Sequence, residues 1–269
     1  MIRLAYSPCP NDTFIFYHLV HGSIPGAPEI QEELYDVENL NEFALAGKFE
    51  ATKLSFAAYF RAIDKYILLN SGAALGRGCG PLLVKRKGEP TELSGDILIP
   101  GELTTANLLL HLHLGKTFRP KPVIYHEVIP ALVSGQANAG VIIHEERFTY
   151  ADHGLEIIAD LGQWWEEQTG RPIPLGAIAA KRDLPLKTLK SLEQGIAESI
   201  RAGHQNPGTS YILGHSQNKE SSIIEQHIGL YVNDFSLDLG EEGRDAVTAL
   251  YEKAVESGFV KRSALPLFL

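Results

Sequence analysis

One pattern recurs in this chain at a fixed separation. Phe43-Ala-Leu-Ala-Gly47-Lys-Phe-Glu-Ala51-Thr-Lys-Leu-Ser55 reads as the end of a helix, a glycine, three residues, an alanine and a short apolar strand. Ala131-Leu-Val-Ser-Gly135-Gln-Ala-Asn-Ala139-Gly-Val-Ile-Ile143-His144 has the same form. Gly47 and Gly135 lie 88 residues apart, and so do Ala51 and Ala139. The glycines are suited to the left-handed position that closes a helix. Each unit also follows an earlier strand, polar loop and helix start: Ile2–Tyr6 with residues 7–13, and residues 96–100 with 101–105. A chain that writes the same α/β unit twice is expected to fold as two similar α/β lobes.

The rest of the chain fits that frame. Short apolar runs at Ile2–Tyr6, 51–54, 80–84, 96–100, 123–125 and 139–143 read as strands. Between them, 14–20, Val37–Ala46, 55–63, 104–114 and 127–134 have helical spacing, with Gly47, Gly115 and Gly135 behind three of them. This alternation predicts α/β architecture with largely parallel sheets. After residue 186 the texture changes. Residues 186–201, 221–230 and 241–257 read as amphipathic helices without strands between them. A helical C-terminal third must pack on something already built. Pro- and Gly-bearing segments at 87–93 and 171–176 are suited to crossovers. The expected division is therefore residues 1–90 with 177–269 as a larger first lobe, and 91–176 as a smaller second lobe, with a cleft between them.

Composition narrows the function. The 269 residues carry 24 Lys and Arg against 33 Asp and Glu, a formal charge of −9. The longest basic run, Lys85-Arg86-Lys87, is three residues long, so a nucleic-acid partner is not expected. No stretch reaches 18 apolar residues and the N-terminus lacks an apolar signal core, so neither a membrane span nor secretion is expected. The expected address is the cytoplasm. Cys9 and Cys79 make no disulfide framework. His111 and His113 diverge on a helix and no Cys/His cluster has zinc spacing, so no metal is expected. Gly-x-Ser-x-Gly and Walker spacings are absent from the sequence.

In open α/β sheets, ligands bind beyond the carboxyl ends of the strands. Four strand ends deliver polar side chains to such a rim: Asn11 within Ser7-Pro-Cys-Pro-Asn-Asp-Thr13, Ser55, the pair Thr104-Thr105, and His144. Residues 7–13 can hold an anion on helix-start amides, or Asn11 and Asp12 can simply cap the first turn. Thr104 and Thr105 can cap a helix and touch a ligand at once, because a hydroxyl both donates and accepts. His144 can transfer a proton at neutral pH or be a satisfied core histidine; Glu145 is in reach to orient its ring. Arg77, in the glycine-rich turn, can face an acidic substrate. Trp164-Trp165 can pack under the crossing or form a wall for a flat ligand.

These segments together resemble one family. Ser7-Pro-Cys-Pro-Asn-Asp-Thr-Phe14, Thr52-Lys-Leu-Ser55, Ser71-Gly-Ala-Ala-Leu-Gly-Arg-Gly78, Gly101-Glu-Leu-Thr-Thr-Ala106, Ile143-His-Glu-Glu-Arg-Phe-Thr-Tyr150 and Leu161-Gly-Gln-Trp-Trp-Glu-Glu-Gln-Thr-Gly170 look like the 1,4-dihydroxy-6-naphthoate synthases of the futalosine route to menaquinone. Each motif alone is weak, while the ordered set, running from residue 2 to about 268, is specific. The resemblance implies a fold like periplasmic binding proteins of the second structural type, used as an enzyme inside the cell. It implies conversion of cyclic dehypoxanthine futalosine to 1,4-dihydroxy-6-naphthoate and dihydroxyacetone without a cofactor, by a carbon–carbon lyase. The family's proton-accepting histidine falls on His144. Its substrate contacts fall on Lys53, Leu54, Ser55, Thr105 and Ala106, to which the rim reading adds Asn11 and Thr104. The partner expected is a small carboxylate substrate, bound by a monomer or homodimer. Two other readings share the fold: a chorismate dehydratase-like enzyme of the same pathway, and a non-enzymatic solute-binding protein.

Overall fold

The computed structural model describes residues 1–269 apart from 92, 94, 116 and 217–219. Strands β1 (Ile2–Tyr6), β2 (Ile30–Leu34), β3 (Ala51–Ser55), β4 (Tyr66–Leu68) and β5 (Ala74–Gly76) build a first sheet. Strands β6 (Leu82–Arg86), β7 (Asp96–Ile99), β8 (Arg119–Pro122), β9 (Ala139–Ile142) and β10 (Leu155–Asp160) build a second. Strand β11 (Ile173–Lys181) then returns to the first. The orders are β2-β1-β3-β11-β4, with β5 also on β11, and β10-β6-β9-β7-β8.

The 88-residue echo is a topological repeat. In the first sheet β1 sits between β2 and β3, parallel to both, and in the second β7 sits between β8 and β9, parallel to both. The helix ends preceding β3 and β9 close with the same bonds. Gly47 and Lys48 amides donate to Ala44 and Phe43 carbonyls, and Gly135 and Gln136 amides donate to Leu132 and Ala131 carbonyls. Both glycines have left-handed φ, 69° and 79°. At these positions the sequence specifies the same closed turn twice.

The sheets are mixed rather than largely parallel. Strand β11 runs antiparallel to β3, β4 and β5, and β6 runs antiparallel to β9 and β10. A parallel pair needs a helical crossover. Strands β6 and β11 arrive directly from the other lobe, and so enter against the local direction. They also shift the expected lobe boundaries. Leu82–Arg86 belongs to the second sheet, so the first crossing lies near Gly80-Pro81 and not within 87–93, of which Glu92 falls outside the described residues. Residues 173–176 are the start of β11, so the return crossing precedes them. Pro174 is accommodated there because the β11–β5 register slips between Pro174 and Gly176. The strand expected at 123–125 lies earlier, at Arg119–Pro122, and Tyr125–Glu127 is a 3-10 turn. Two prolines argue against a strand, but β8 is an edge and tolerates them.

At the crossings the two backbones touch. A Cβ on Gly80 would lie 2.3 Å from the Gly162 backbone, so neither position admits a side chain without separating the lobes' connections. The C-terminal helices pack on the first sheet. Leu186–Gln205 buries Leu189, Leu192, Ile196 and Ile200 against Pro10–Val20, about 1.5–3 kcal/mol per side chain. Ser199 donates to the Ile15 carbonyl at 2.6 Å and accepts from the Leu19 amide at 3.1 Å, so its buried hydroxyl is satisfied. That contact fixes the helix that carries Asn11 and Asp12.

Candidate functional site

A cavity lies between the sheets, and its wall includes all eight residues expected to meet a ligand: Asn11, Lys53, Leu54, Ser55, Thr104, Thr105, Ala106 and His144. Four strand ends bring them there, those of β1, β3, β7 and β9. The topology explains the convergence, because these are the parallel strands of the two repeated units and all point their carboxyl ends at the cleft.

The β1 end differs from expectation in its start. The helix begins at Pro10, with Cys9 as N-cap and no side-chain cap bond, so neither Asn11 nor Asp12 is the cap. Proline is pre-organised for a first helical position. The two polar residues are thereby released inward, 6% and 1% exposed. Asp12 becomes the centre of a buried network. Its Oδ1 accepts from Lys53 Nζ at 2.8 Å and Asn11 Nδ2 at 2.9 Å, and its Oδ2 accepts from the Ser7 hydroxyl at 2.7 Å. Lys53 and Asp12 side chains are 9% and 2% exposed, so each makes the other's charge tolerable.

Ser55 is held from the first-lobe helix Val37–Ala46. Asn41 accepts from the Ser55 amide at 2.9 Å and donates to its hydroxyl at 3.2 Å, which leaves the Ser55 O–H to donate. Thr104 caps Thr105–Leu114, accepting from the Asn107 amide at 3.2 Å. Thr105 bridges lobes: its hydroxyl donates to the Leu175 carbonyl at 2.7 Å and accepts from the Ala57 amide at 3.3 Å. The first amides of that helix, at Thr105 and Ala106, have no carbonyl a turn behind them and lie in the cavity wall.

His144 follows β9 with φ of 56°, the one non-glycine positive φ among the described residues. For a residue with a Cβ this is a strained turn, of the kind that re-aims a side chain. The ring stands edge-on to Tyr125 at 4.9 Å, its Nδ1 is 3.6 Å from Cys9 Sγ, and its buried Nε2 has no partner among the described residues. Burial holds the Cys9 thiol well above its ordinary pKa, so it stays protonated. Beside His144, burial first and Glu145 second push the Glu146 carboxyl up to about 8.

His227, on Ser221–Tyr231, escaped the sequence reading. It is 1% exposed, lies in the cavity wall, and meets Asn11 Oδ1 through Nε2 at 3.0 Å. A signal was present: Ile224, His227 and Tyr231 share one buried helix face, and a histidine on an apolar face needs a partner. Other expectations resolve away from the cavity. Arg77 pairs with Glu242 at 3.0 Å on the surface. Trp165 is a packing residue, buried with Nε1 on the Pro172 carbonyl at 3.1 Å, and Trp164 stacks edge-on with His113. Among the described residues no three His, Cys, Asp or Glu side chains are grouped to hold a metal ion, and no helix is long and apolar enough to cross a membrane.

The family model described as "Menaquinone biosynthesis" matches residues 2–256. The chain is 46% identical to the 1,4-dihydroxy-6-naphthoate synthase of Thermus thermophilus, covering 100% of this chain and 99% of that one. It is 42% identical to the same-named enzyme of Streptomyces coelicolor, over 96% and 94%. Protein AF1704 of Archaeoglobus fulgidus superposes with a TM-score of 0.91 at 36% identity, over 96% and 98% of the chains. The periplasmic aliphatic sulphonate binding protein SsuA of Escherichia coli superposes at 0.67 with 11% identity, over 97% and 88%. The last likeness concerns the fold alone, which is periplasmic-binding-protein-like.

Proposed function

The chain belongs to the menaquinone-biosynthesis family, and from that premise we propose that it is a 1,4-dihydroxy-6-naphthoate synthase with His144 as general base. The substrate is cyclic dehypoxanthine futalosine, and the products are 1,4-dihydroxy-6-naphthoate and dihydroxyacetone. The observation that supports the base is the unpartnered Nε2 of His144, a cavity-wall residue held at a strained strand end. In the tautomer whose Nδ1–H points to Cys9 sulfur, Nε2 offers a bare lone pair. It takes a proton next to a carbonyl; the fused ring opens, the three-carbon fragment departs, and the remaining ring system becomes aromatic. The proton held by His144 returns to the departing fragment, so no co-reactant enters and the reaction is a cofactor-independent carbon–carbon cleavage. The protein supplies position, a base and exclusion of water.

The carboxylate meets local donors, since a protein of charge −9 offers it no general attraction. These are the Ser55 hydroxyl and the amides of Thr105 and Ala106, with Leu54 packing beside them, Thr104 holding the helix start and Lys53 adding charge partly offset by Asp12. Asn11 lies between this wall and the histidines. We place the activity in the cytoplasm, on a monomer or homodimer.

The test is incubation of the purified protein with cyclic dehypoxanthine futalosine and, in parallel, with chorismate. A naphthoate chromophore from the first alone is expected. Consumption of chorismate would instead favour the dehydratase, and binding without turnover of either a solute-binding role. His144→Ala is expected to lose about 10²–10⁴-fold in kcat while still binding substrate. Unimpaired turnover by that variant would remove His144 from the role.

A further inference from the structure

Around the two histidines, the buried polar atoms that lack a hydrogen-bond partner among the described residues include His144 Nε2, Glu145 Oε2 and His227 Nδ1, with Glu146 Oε2 next along the chain. They come from both lobes, His144 and Glu145 following β9 and His227 from the C-terminal helix Ser221–Tyr231. The tautomer of His227 follows from its neighbours. Asn11 uses its Nδ2 to donate to Asp12 Oδ1 at 2.9 Å, so the Asn11 oxygen facing His227 is an acceptor, and His227 Nε2 carries the hydrogen. Complete burial, with His144 and Lys53 close by, holds the ring neutral. Its Nδ1 is therefore a bare lone pair, and Glu145 Oε2, which faces it from the other lobe at 4.0 Å, is an acceptor too. Two acceptors at that separation do not bond each other. Both are satisfied by a group that brings hydroxyl donors.

The other wall has the opposite character. The Ser55 hydroxyl accepts from Asn41 and keeps its O–H free to donate, and the first amides of Thr105–Leu114 can only donate. A donor wall suits a carboxylate and an acceptor wall suits hydroxyls.

We propose that His227 Nδ1, with the Glu145 carboxylate facing it, is the subsite for the hydroxylated three-carbon end of the substrate, which fixes the substrate's direction in the cleft. This rests on the proposed synthase activity. The carboxylate-bearing ring then lies against Ser55, Thr105 and Ala106, and the bond to be broken lies beside His144. His227 is a binding and orienting residue: Asn11 fixes its ring, and its bare nitrogen reads a hydroxyl. Sites built to hydrogen-bond a hydroxyl lose affinity when that bond is removed, and ligands without the hydroxyl are unaffected.

Two isosteric variants separate the functions of the ring. Glutamine places an amide nitrogen near the Nε2 position, and keeps the donor to Asn11 while losing the acceptor. Asparagine returns an acceptor near the Nδ1 position and loses the donor. Binding of cyclic dehypoxanthine futalosine and of 1,4-dihydroxy-6-naphthoate, which lacks the three-carbon end, is measured by titration for the parent, His227→Gln and His227→Asn, beside thermal melting and steady-state turnover. We expect His227→Gln to weaken the substrate by about tenfold or more, in Kd and KM, with the naphthoate Kd unchanged within about twofold. His227→Asn is expected to recover part of the substrate affinity, and Glu145→Gln to weaken substrate selectively. Equal weakening of both ligands by the folded variants, or weakening of neither, overturns the subsite. If the parent protein neither binds nor turns over the substrate, the synthase reading itself falls and this inference with it.

Discussion

At the scale of single residues, the site depends on backbone that its side chains do not favour. His144 sits at φ 56°, where an L-residue costs about 1–2 kcal/mol. Removing the ring does not remove that cost, but removing the Cβ does. His144→Gly should therefore be more stable than His144→Ala by about 1 kcal/mol, read from urea unfolding, although both lack the base. Equal stability would mean that the turn relaxes once the imidazole is gone. His144 was legible as a polar residue ending an apolar strand, but its φ was not, because nothing in Ile143-His144-Glu145 names a left-handed turn. His227 was only partly legible: its place on an apolar helix face shows in the spacing of Ile224, His227 and Tyr231, but the group that satisfies it does not. Its partner Asn11 lies 216 residues away, and no local pattern reports a contact at that separation.

At the scale of elements, the short helix Glu146–Thr149 starts with a buried acid. Glu146 has its carboxyl pushed up to about 8 by burial and by Glu145, from an ordinary value of 4.5. An acid with a higher pKa folded than unfolded binds more protons in the folded state, so stability falls as pH rises between about 4.5 and about 8. Glu146→Gln should remove that slope and gain on the order of a few kcal/mol over the parent at pH 8, with little difference at pH 4.5, in denaturant melts across the range. Parallel pH profiles for the two proteins would show that Glu146 is solvated. Other elements were readable because their signals are local. Val37–Ala46 ends at Gly47 as its spacing requires, and Thr104 caps Thr105–Leu114. Strands β2, β4, β5, β10 and β11 are not legible in the sequence; β2 and β10 are edge strands, and an edge half open to water need not keep an apolar run, while β11 carries a proline near its start that reads as a crossover.

At the scale of the whole molecule, one carboxylate ties the lobes together beside the cavity. Glu38, on the first-lobe helix Val37–Ala46, accepts from the second lobe's Leu103 amide at 3.0 Å and from Asn41 at 3.1 Å, the same Asn41 that holds Ser55. Gly101 makes room for it: a Cβ there would lie 2.4 Å from the Glu38 carboxylate, and its φ is 138°. Glu38→Ala and Gly101→Ala should both favour an open cleft, with a larger radius of gyration in small-angle X-ray scattering and a KM raised several-fold while kcat changes less. Scattering curves identical to the parent's for both variants would show that closure does not depend on this contact. Taken alone, the sequence determined the repeated unit, the strand ends that carry Asn11, Ser55, Thr104, Thr105 and His144, and the family, because each depends on short-range spacing or on ordered motifs. Tertiary structure decided which sheet β6 and β11 join, and hence where the lobes divide, because strand pairing depends on partners far away in the chain. It also decided that Asp12 and His227 line the cavity and that Glu38 stands beside it, since a buried polar group is defined by the partner that satisfies it: Lys53 and Asn11 are distant in the chain from Asp12 and His227, and Leu103 reaches Glu38 from the other lobe.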